Sequence, residues 1–296
     1  MATTDARAEI QDFLSSRRAR ITPEQAGLSA YGGNRRVQGL RREEVAMLAG
    51  VSVDYYVRME RGNLSGASDS VLDALASALH LDDAERDHLF ALARAAGTRA
   101  SRHRRQAPPA LSPVIQQVLD AITDAPAWVR NGRHDIIAIN QLGRALYSPV
   151  LADPRRPANT TRFVYLDPAA EQFFVDYDQI ARDAAAMLRL EAGRHPHDQA
   201  LIELVGELST RSALFRQRWA SQDVRYHRSG RKRLRHPVVG QLDLDFVSAE
   251  LSSEAGLQLN VYTAAAGTPT ADGLKLLASW AASHDVVPAE QTSLGR

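Results

Sequence analysis

The sequence predicts two domains of different fold class: an all-α helix-turn-helix domain at the N-terminus and an α+β domain with helices inserted into an antiparallel sheet. Apolar residues recur at helical spacing through the first third of the chain. A stretch rich in arginine and proline follows, and the second half mixes helical spacing with strand alternation. The predicted boundaries are 1–96 for the helix-turn-helix domain, 97–112 for a linker, 113–285 for the α+β domain and 286–296 for a tail.

Residues 42–62 have the spacing of two short helices joined by a tight turn. Ala46 offers the small side chain that two steeply crossing helices need where they touch. Gly50 permits the positive φ of the turn, and Ser52 can cap the second helix. Because these residue types stand at fixed offsets, the stretch predicts a helix-turn-helix motif. The residues expected to face the core are Tyr56 and Met59.

The exposed positions of this motif favour DNA binding. The N-terminal residues of the second helix meet base edges in the major groove, and the first helix crosses the phosphate backbone. Arg58 is the natural guanine reader, because its guanidinium can bond two base-edge acceptors at once. In the structural alternative, Tyr55 packs on a neighbouring helix and Arg58 pairs with Glu44 or another surface carboxylate. The predicted DNA-binding residues are Arg35, Arg36, Arg41, Arg42, Ser52, Val53, Asp54, Tyr55, Arg58 and Arg61.

Positive charge is concentrated just before the motif. The formal net charge of the chain is only +1, but the stretch from Arg17 to Arg42 carries seven arginines against one acid, Glu24. Such a local excess predicts contacts with the phosphate backbone. The arginines of the 97–112 linker allow two interpretations, since they either separate the domains only or also follow DNA phosphates.

The composition excludes several classes of function. With no cysteine in the chain, disulfides and thiolate metal sites are excluded. No apolar run reaches the length of a membrane span and the N-terminal residues lack the apolar core of a signal sequence, so we expect a cytoplasmic protein. Phosphate loops, nucleophile elbows and paired-histidine helices are missing, so we predict no catalytic residue, metal or cofactor. His195 and His197 lie in a predicted loop beside Pro196 and have no thiolate partners, so a metal site there is not favoured.

The remaining helices of the first domain follow from apolar spacing and capping residues. Residues near 5–20 form an amphipathic helix, and glycines make 21–39 mostly loop. Ser68 or Asp69 can begin another helix, and Asp82 can cap the last one. The first domain is therefore a five-helix unit.

The second domain mixes helices with alternating strands. A helix follows Pro113, helical spacing runs through 168–192, and further helices begin near Asp198 and carry Phe215 and Trp219. Asn131-Gly132 is a hairpin signal between two of the strands. The predicted strands are 127–130, 135–140, 231–236, 241–246 and 258–263, and a closing helix spans roughly 270–281.

The basic run at 225–235 allows two interpretations. One is a nucleic-acid surface. The other, which we favour, is the charged outer face of a hairpin in which Arg235 lies opposite Asp243 and Arg233 opposite Asp245. The same register places Leu234 opposite Leu244 and His236 opposite Leu242 on the inner face.

This hairpin makes His236 the polar residue of an otherwise apolar inner face. Such a histidine is either a hydrogen-bonded core residue or a polar group that orients an apolar ligand in a cavity. Aromatic residues from several elements could line this cavity or fill a plain core. The candidate ligand-binding residues are Trp128, Phe163, Phe173, Phe174, Phe215, Trp219, His236 and Tyr262.

These motifs resemble those of XRE-type (Cro/repressor-like) regulators of the MmyB-like subgroup, over about residues 10–282. In the first domain the match lies in GLRREEVA (39–46), AGVSVDYY (49–56) and ERG (60–62). In the second it lies in LVGEL (204–208), Phe215-Arg216 with Trp219, HPVVG (236–240) and VYTA (261–264). The loop at 63–68 departs from the family, whose members tend to have a more basic or proline-containing loop at this place.

The resemblance implies a PAS-like fold for the C-terminal domain, with a small ligand for which fatty acid is an attested type. It also implies bacterial transcription control, often by a dimer. We therefore expect a homodimer that reads a double-stranded DNA operator under the control of a lipid-like ligand. The alternatives are a C-terminal domain that only dimerises or binds protein, and a DNA-tethered enzyme.

Overall fold

The computed structural model describes residues 2–28, 39–97 and 112–283, and the chain divides into two compact units. The first unit contains Met1–Gln106 and Ala185–Tyr226, and the second contains Ala107–Ala184 and His227–Arg296. The predicted linker, apart from its two end residues, and the predicted tail lie outside the described residues, as do Arg35 and Arg36.

Five helices open the first unit, in the order that the sequence predicts. They are α1 (Ala2–Arg20), α2 (Arg42–Leu48), α3 (Val53–Glu60), α4 (Asp69–Ala78) and α5 (Asp83–Gly97). Ser68 begins α4 by accepting a hydrogen bond from the Val71 amide at 3.4 Å. Asp82 and Glu85 cap the start of α5 reciprocally, at 2.9 and 3.2 Å, which confirms the predicted starts of both helices.

The rest of the chain forms nine further helices and five strands within the described residues. In order they are α6 (Pro113–Ala121), β1 (Ala127–Asn131), β2 (Ile136–Ile139), α7 (Gln141–Leu146), α8 (Ser148–Leu151), α9 (Thr160–Leu166), α10 (Ala169–Phe173), α11 (Tyr177–Arg194), α12 (Gln199–Arg211), α13 (Ala213–Ala220), β3 (Ser229–His236), β4 (Gly240–Glu250), β5 (Leu257–Thr263) and α14 (Pro269–Ser283).

Residues 185–226 depart from the predicted domain division, because they pack within the first unit rather than with the sheet. Leu190 and Val224 are buried in the core that α1 and α3–α5 form. Arg189, which is almost fully buried, pairs with Glu9 at 3.1 Å. Partners so far apart in the chain leave no local signal, and this explains why the sequence places the whole second half in one domain.

The second unit is built on a five-stranded antiparallel sheet with strand order β2-β1-β5-β4-β3. Seven helices, α7–α13, stand between β2 and β3 in the chain, as expected for an α+β domain with helices inserted between the strands of its sheet. The predicted β1–β2 hairpin is confirmed, and its turn is closed by Asn131 and Asp135, whose side chains hydrogen-bond at 2.9 Å. The positive φ of this turn falls on His134, at 68°.

The β3–β4 hairpin forms as predicted, but its register differs by two residues. Arg233 lies opposite Asp243, Leu234 opposite Leu242, and His236 opposite Gly240. The predicted pairing of His236 with Leu242 leaves residues 237–241 as the loop, which is two residues too long, because Gly240, with φ of +78°, already belongs to β4 and pairs with His236. A shift of two residues preserves the side-chain faces, so the assignment of inner and outer positions is unchanged.

Helical spacing through 168–192 predicts one helix, and this prediction is wrong, since the segment is divided into α10 and α11. Phe174 leaves the helical conformation and forms a β-bridge with Leu234. The Val175 amide donates to the Arg233 carbonyl at 3.1 Å, and Asp176 pairs with the Arg233 guanidinium. These bonds to β3 replace the helical hydrogen bonds at the break.

The two faces of the sheet have different coverings. Leu119 of α6 packs with Val129 and Ala138 on one face. The other face, called the inner face below, carries Trp128, Tyr262 and the alternate residues of β3 and β4. The sequence analysis does not predict helices α7–α9, which lie in the segment between β2 and β3. Asn140 caps α7 and Asn159 caps α9.

Candidate nucleic-acid interface and ligand site

Helices α2 and α3 form the predicted helix-turn-helix. Ala46 is fully buried. Gly50 has a φ of +65°, a backbone conformation that is strained for a residue with a side chain. The Ser52 hydroxyl caps α3 by accepting from the Tyr55 amide at 3.2 Å. Tyr56 and Met59 are fully buried in the core. Each of these residues therefore has the structural role that its position in the motif predicts.

Helix α3 presents polar and apolar groups to the surface, Val53 and Asp54 in its first turn and Arg58 in its last turn. Val53, Asp54 and Arg58 are exposed, whereas Tyr55 is half-buried against the core. The Arg58 guanidinium lies 4.8 Å from the centre of the Tyr55 ring. Among the described residues no carboxylate forms an ion pair with Arg58, so the alternative pairing with Glu44 is not observed there.

A shallow depression of about 310 Å³ adjoins the same helix surface. The residues that line it are Arg7, Asp54, Val57, Arg58, Arg61 and Asn63. Three guanidinium groups, those of Arg7, Arg58 and Arg61, therefore border a concave surface beside the C-terminal half of α3. Such a surface suits the contact of arginine with phosphate oxygens and base edges.

Arg42 lies at the start of α2 and is tied to the end of α3 by Glu60. The Glu60 carboxylate is 2% exposed and accepts from both Arg42 and Arg18, the latter at 2.7 Å. The Tyr56 hydroxyl adds a third donor at 3.4 Å. Glu60 thereby fixes the crossing of the two helices, a role that the sequence analysis does not predict although Glu60 directly follows the buried Met59.

Most of the arginine excess before the motif is used inside the unit. Arg17 pairs with Glu85 at 2.9 Å, Arg20 with Asp223, and Arg41 with Glu43 at 3.3 Å. Their acidic partners lie outside residues 17–42, the stretch in which seven arginines stand against one acid. Arg41 and Arg42 are nevertheless half exposed, so both guanidinium groups remain accessible to a phosphate.

The inner face of the sheet carries a cluster of aromatic rings. The Trp128 ring lies 4.5 Å from that of Tyr147 and 4.6 Å from that of Tyr262. The two tyrosine hydroxyls hydrogen-bond at 3.0 Å, and burial raises the pKa of both phenols. Phe173 continues the cluster from α10, with its ring 6.1 Å from that of Tyr147. Tyr147 is not among the predicted ligand-binding residues, because it belongs to a region whose helices the sequence does not reveal.

The predicted phenylalanines of the helical insertion join this cluster. The Phe173 ring lies 5.8 Å from that of Phe163 and 5.0 Å from that of Phe174. All three side chains are almost fully buried. Trp128, Phe163, Phe173, Phe174 and Tyr262 are therefore brought into one continuous apolar cluster.

Phe215 and Trp219 are not part of that cluster, because α13 belongs to the first unit. Their rings stack on each other at 5.4 Å, and the Arg189 guanidinium lies 4.1 Å from the Trp219 ring. These contacts are of a kind that stabilises helix packing.

His236 is buried on the inner face, where the hairpin prediction places it. Its Nε2 donates to the Ala145 carbonyl at 3.0 Å, and its Nδ1 accepts from the Val238 amide at 3.2 Å. Both ring nitrogens thus have backbone partners, which agrees with the interpretation as a hydrogen-bonded core residue. Burial lowers the pKa of His236, so the ring is neutral near pH 7.

Two cations near the aromatic cluster were not predicted. Arg130 on β1 is 7% exposed and donates to the Gln258 side chain at 2.8 Å. Lys232 on β3 lies 5.4 Å from the Phe246 ring and 5.7 Å from the Tyr262 ring. A signal for Lys232 was available, since strict alternation from Leu234 and His236 places it on the inner face.

In the described part of the chain, no group of three histidine or acidic side chains is arranged to hold a metal ion. No helix there is long and apolar enough to cross a membrane.

Comparison with protein families gives two matches. Residues 15–89 match a helix-turn-helix domain, and residues 111–277 match the MmyB-like transcription regulator ligand binding domain. No curated protein matches the chain significantly. The first match covers the end of α1, all of α2–α4 and the start of α5, and the second covers the whole sheet. The chain, with a DNA-binding helix-turn-helix domain before a ligand-binding domain that spans more than half its length, belongs to the family of MmyB-like transcription regulators.

Proposed function

We propose that this regulator, of the XRE type, reads a two-fold related DNA operator as a homodimer and is controlled by an apolar or amphipathic, fatty-acid-like ligand. The observation that carries the DNA part is the exposed surface of α3, which presents Val53 and Asp54 in its first turn and Arg58 in its last turn. The aromatic cluster on the inner face supports the ligand part, because sites for small apolar molecules are lined mainly by such side chains. We further propose that it acts in the cytoplasm, by binding and not by catalysis.

In the proposed docking, Arg58 reads a base and Arg41 contacts a phosphate. The operator is first selected from a pool of random duplexes, and binding is then titrated at several salt concentrations. Arg58→Ala should cost about 1–3 kcal/mol of binding free energy and relax selectivity at one base position. Arg41→Ala should weaken all sequences alike and reduce the salt slope by about one. If Arg58→Ala binds as tightly and selectively as the parent protein, the docking is wrong.

A second candidate function is a C-terminal domain that only dimerises or binds protein. The observation that favours it is the close mutual packing of the inner rings, with Trp128, Phe173 and Tyr262 at most 3% exposed. Native mass spectrometry of the purified protein separates the two candidates. A copurified lipid-like molecule supports the sensor, and a ligand-free dimer whose mass does not change when fatty acid is added supports plain dimerisation.

A further inference from the structure

Three arginines beside α3 have no acidic partner. Many arginines of the first unit are held by carboxylates, as Arg17 is by Glu85 at 2.9 Å. In contrast, Arg7, Arg58 and Arg61 are exposed, and none of them forms an ion pair with a described residue. Exposed guanidinium groups without a carboxylate partner are available to an anion from outside the protein.

Arg7 is brought to α3 because α1 lies directly against the turn that follows α3. Ile10 and Phe13 of α1 are buried in the same core as Met59 of α3. The turn residue Gly62 has a φ of +91°, and a Cβ added there would lie 2.5 Å from the Arg7 carbonyl oxygen and 2.7 Å from the Arg7 Cα. Only glycine permits this approach of the two backbones. The backbone of Arg7 is therefore held beside the C-terminal end of α3.

The three guanidinium groups share the depression of about 310 Å³ described above. Asp54 is the one carboxylate among its described lining residues, and it too forms no ion pair with a described residue. Three positive charges against one negative charge leave a formal excess of two. The C-terminal end of a helix carries the negative end of its dipole and repels anions. The arginines from α1 and from the turn are therefore what makes this end of α3 attractive to an anion.

The length of α3 places the depression at the edge of the major groove in the proposed docking. A helix of eight residues is about 12 Å long, which is close to the width of the groove. With the first turn of α3 among the base edges, its last turn lies near the rim of the groove, where the sugar-phosphate backbone runs. Arg58 is assigned to a base in this docking, which leaves Arg7 and Arg61 for a phosphate.

We propose that Arg7 and Arg61 together bind one phosphate of the operator backbone, so that α1 joins α2 and α3 in contacting DNA. The proposal rests on the proposed function, since it adds a contact to the same operator complex. A phosphodiester carries one negative charge, and its oxygens accept the charge-assisted hydrogen bonds that guanidinium groups donate. Arg7 is not among the predicted DNA-binding residues, because it is far from the helix-turn-helix in the sequence.

The test measures binding of full-length Arg7→Gln to the selected operator and to a random duplex at several salt concentrations. A phosphate contact carries no sequence information, so the affinity for both duplexes should fall by about three- to tenfold. The slope of the salt dependence should fall by about one, and base selectivity should be unchanged. The Arg7 side chain is exposed and has no ion pair to lose, so the variant should fold as the wild type does.

Arg211→Gln is the matched control. It removes the same charge from an exposed side chain of α12, where Arg211 pairs with Glu207 at 2.8 Å and does not line the depression. Both affinities and the salt slope should equal those of the wild type. An equal loss in Arg211→Gln and Arg7→Gln would show a general effect of net charge and overturn the phosphate contact.

A modified operator identifies the phosphate itself. Methylphosphonate linkages, which lack the negative charge, are introduced one position at a time along each strand. At one position the modification should weaken binding of the wild type, and Arg7→Gln should bind that modified duplex as tightly as the wild type does. If no position behaves in this way, or if Arg7→Gln relaxes base selectivity, the assignment of Arg7 to a phosphate is wrong.

The outcomes separate this proposal from the function on which it rests. If the wild type binds its operator and Arg7→Gln keeps the same affinity and salt slope, the contact from α1 is overturned while DNA binding stands. If the wild type selects no duplex, both are overturned. Inorganic phosphate is also titrated without DNA, and saturable binding that Arg7→Gln abolishes would assign the depression to a free anion instead of the operator.

Discussion

His88 is a fully buried titratable residue in the helix-turn-helix unit. Its ring packs edge-on against Phe13 at 4.9 Å, and neither ring nitrogen has a hydrogen-bond partner among the described residues. Burial lowers the pKa of His88 to about 3, and the neighbouring guanidinium groups of Arg189 and Arg17 act in the same direction. The folded protein therefore holds a neutral imidazole where the unfolded chain holds one that titrates normally.

This difference predicts that stability falls as the solution is acidified below the ordinary histidine pKa. Between about pH 6.5 and pH 3 the unfolded chain binds the proton and the folded one does not, so the unfolded state is favoured. Lowering the pH from 7.5 to 5.0 should cost about 2 kcal/mol at this residue. Urea unfolding of the wild type and of His88→Leu at both pH values measures it, and the loss should be smaller in the variant by that amount.

The exposed His195 supplies the control for this measurement. It lies on the surface beside Glu191, with a side chain that is 57% exposed. His195→Gln should show the same loss of stability on acidification as the wild type. Equal losses in the wild type and in His88→Leu would contradict the assignment to His88.

At the scale of elements, α11 contains a glycine whose position is too close to a neighbouring ring for any side chain. A Cβ added to Gly193 would overlap the ring of His88. Gly206 of α12 has nothing within 4 Å of the corresponding position. Both glycines belong to helices, where alanine is normally preferred, but Gly193 is buried near the end of α11 and Gly206 is exposed in the middle of α12.

The same substitution should therefore have opposite effects at the two glycines. Gly206→Ala should raise the free energy of unfolding by about 0.5–1 kcal/mol, since alanine favours the helix. Gly193→Ala should lower it by roughly 1–3 kcal/mol, because the added methyl group is not accommodated without displacing His88. Thermal unfolding of both variants beside the wild type measures the difference. Stabilisation by Gly193→Ala would show that α11 packs less closely on α5 than described.

The elements also show which features the sequence predicts well. Caps and alternation are local, so Ser52, Asp82 and Asp198 begin helices where predicted, and the faces of β3 and β4 are correct. The register of that hairpin depends on one loop residue, Gly240, and the break after α10 depends on a β-bridge between Phe174 and Leu234. Neither interaction is visible in a local window.

At the scale of the whole molecule, the predicted two-domain order is retained, but its boundaries are not those of the structural units. Residues 185–226 supply part of the first unit, with α12, α13 and the second half of α11. The pairs Glu9–Arg189 and Arg20–Asp223 hold this segment through residues that are about 200 positions apart. Because acidic partners such as Glu85 and Asp223 are distant in the chain, the local charge count overestimates how many arginines are available to DNA. For the same reason the sequence analysis groups Phe215 and Trp219, which belong to the first unit, with the aromatic residues of the second.

If a ligand controls this regulator, its effect on DNA binding must be reciprocal. A ligand shifts the protein between states only by binding one state more tightly. The affinity for the operator should change by about 5–150-fold in the presence of saturating dodecanoate, and the affinity for dodecanoate should change by the same factor when operator is bound. Titrating each partner with and without the other measures both factors. An operator affinity that dodecanoate leaves unaltered would mean that ligand binding and DNA binding are independent.

The scarcity of lysine in this chain has a practical consequence. Only two of its 36 basic residues are lysines, and they lie in contrasting places, one at the aromatic cluster and one 77% exposed on the last helix. Amine-directed chemistry can therefore modify few side chains. A short labelling pulse followed by peptide mapping would report on Lys232 and Lys275 as a pair, one as the probe of the domain interior and the other as its internal standard.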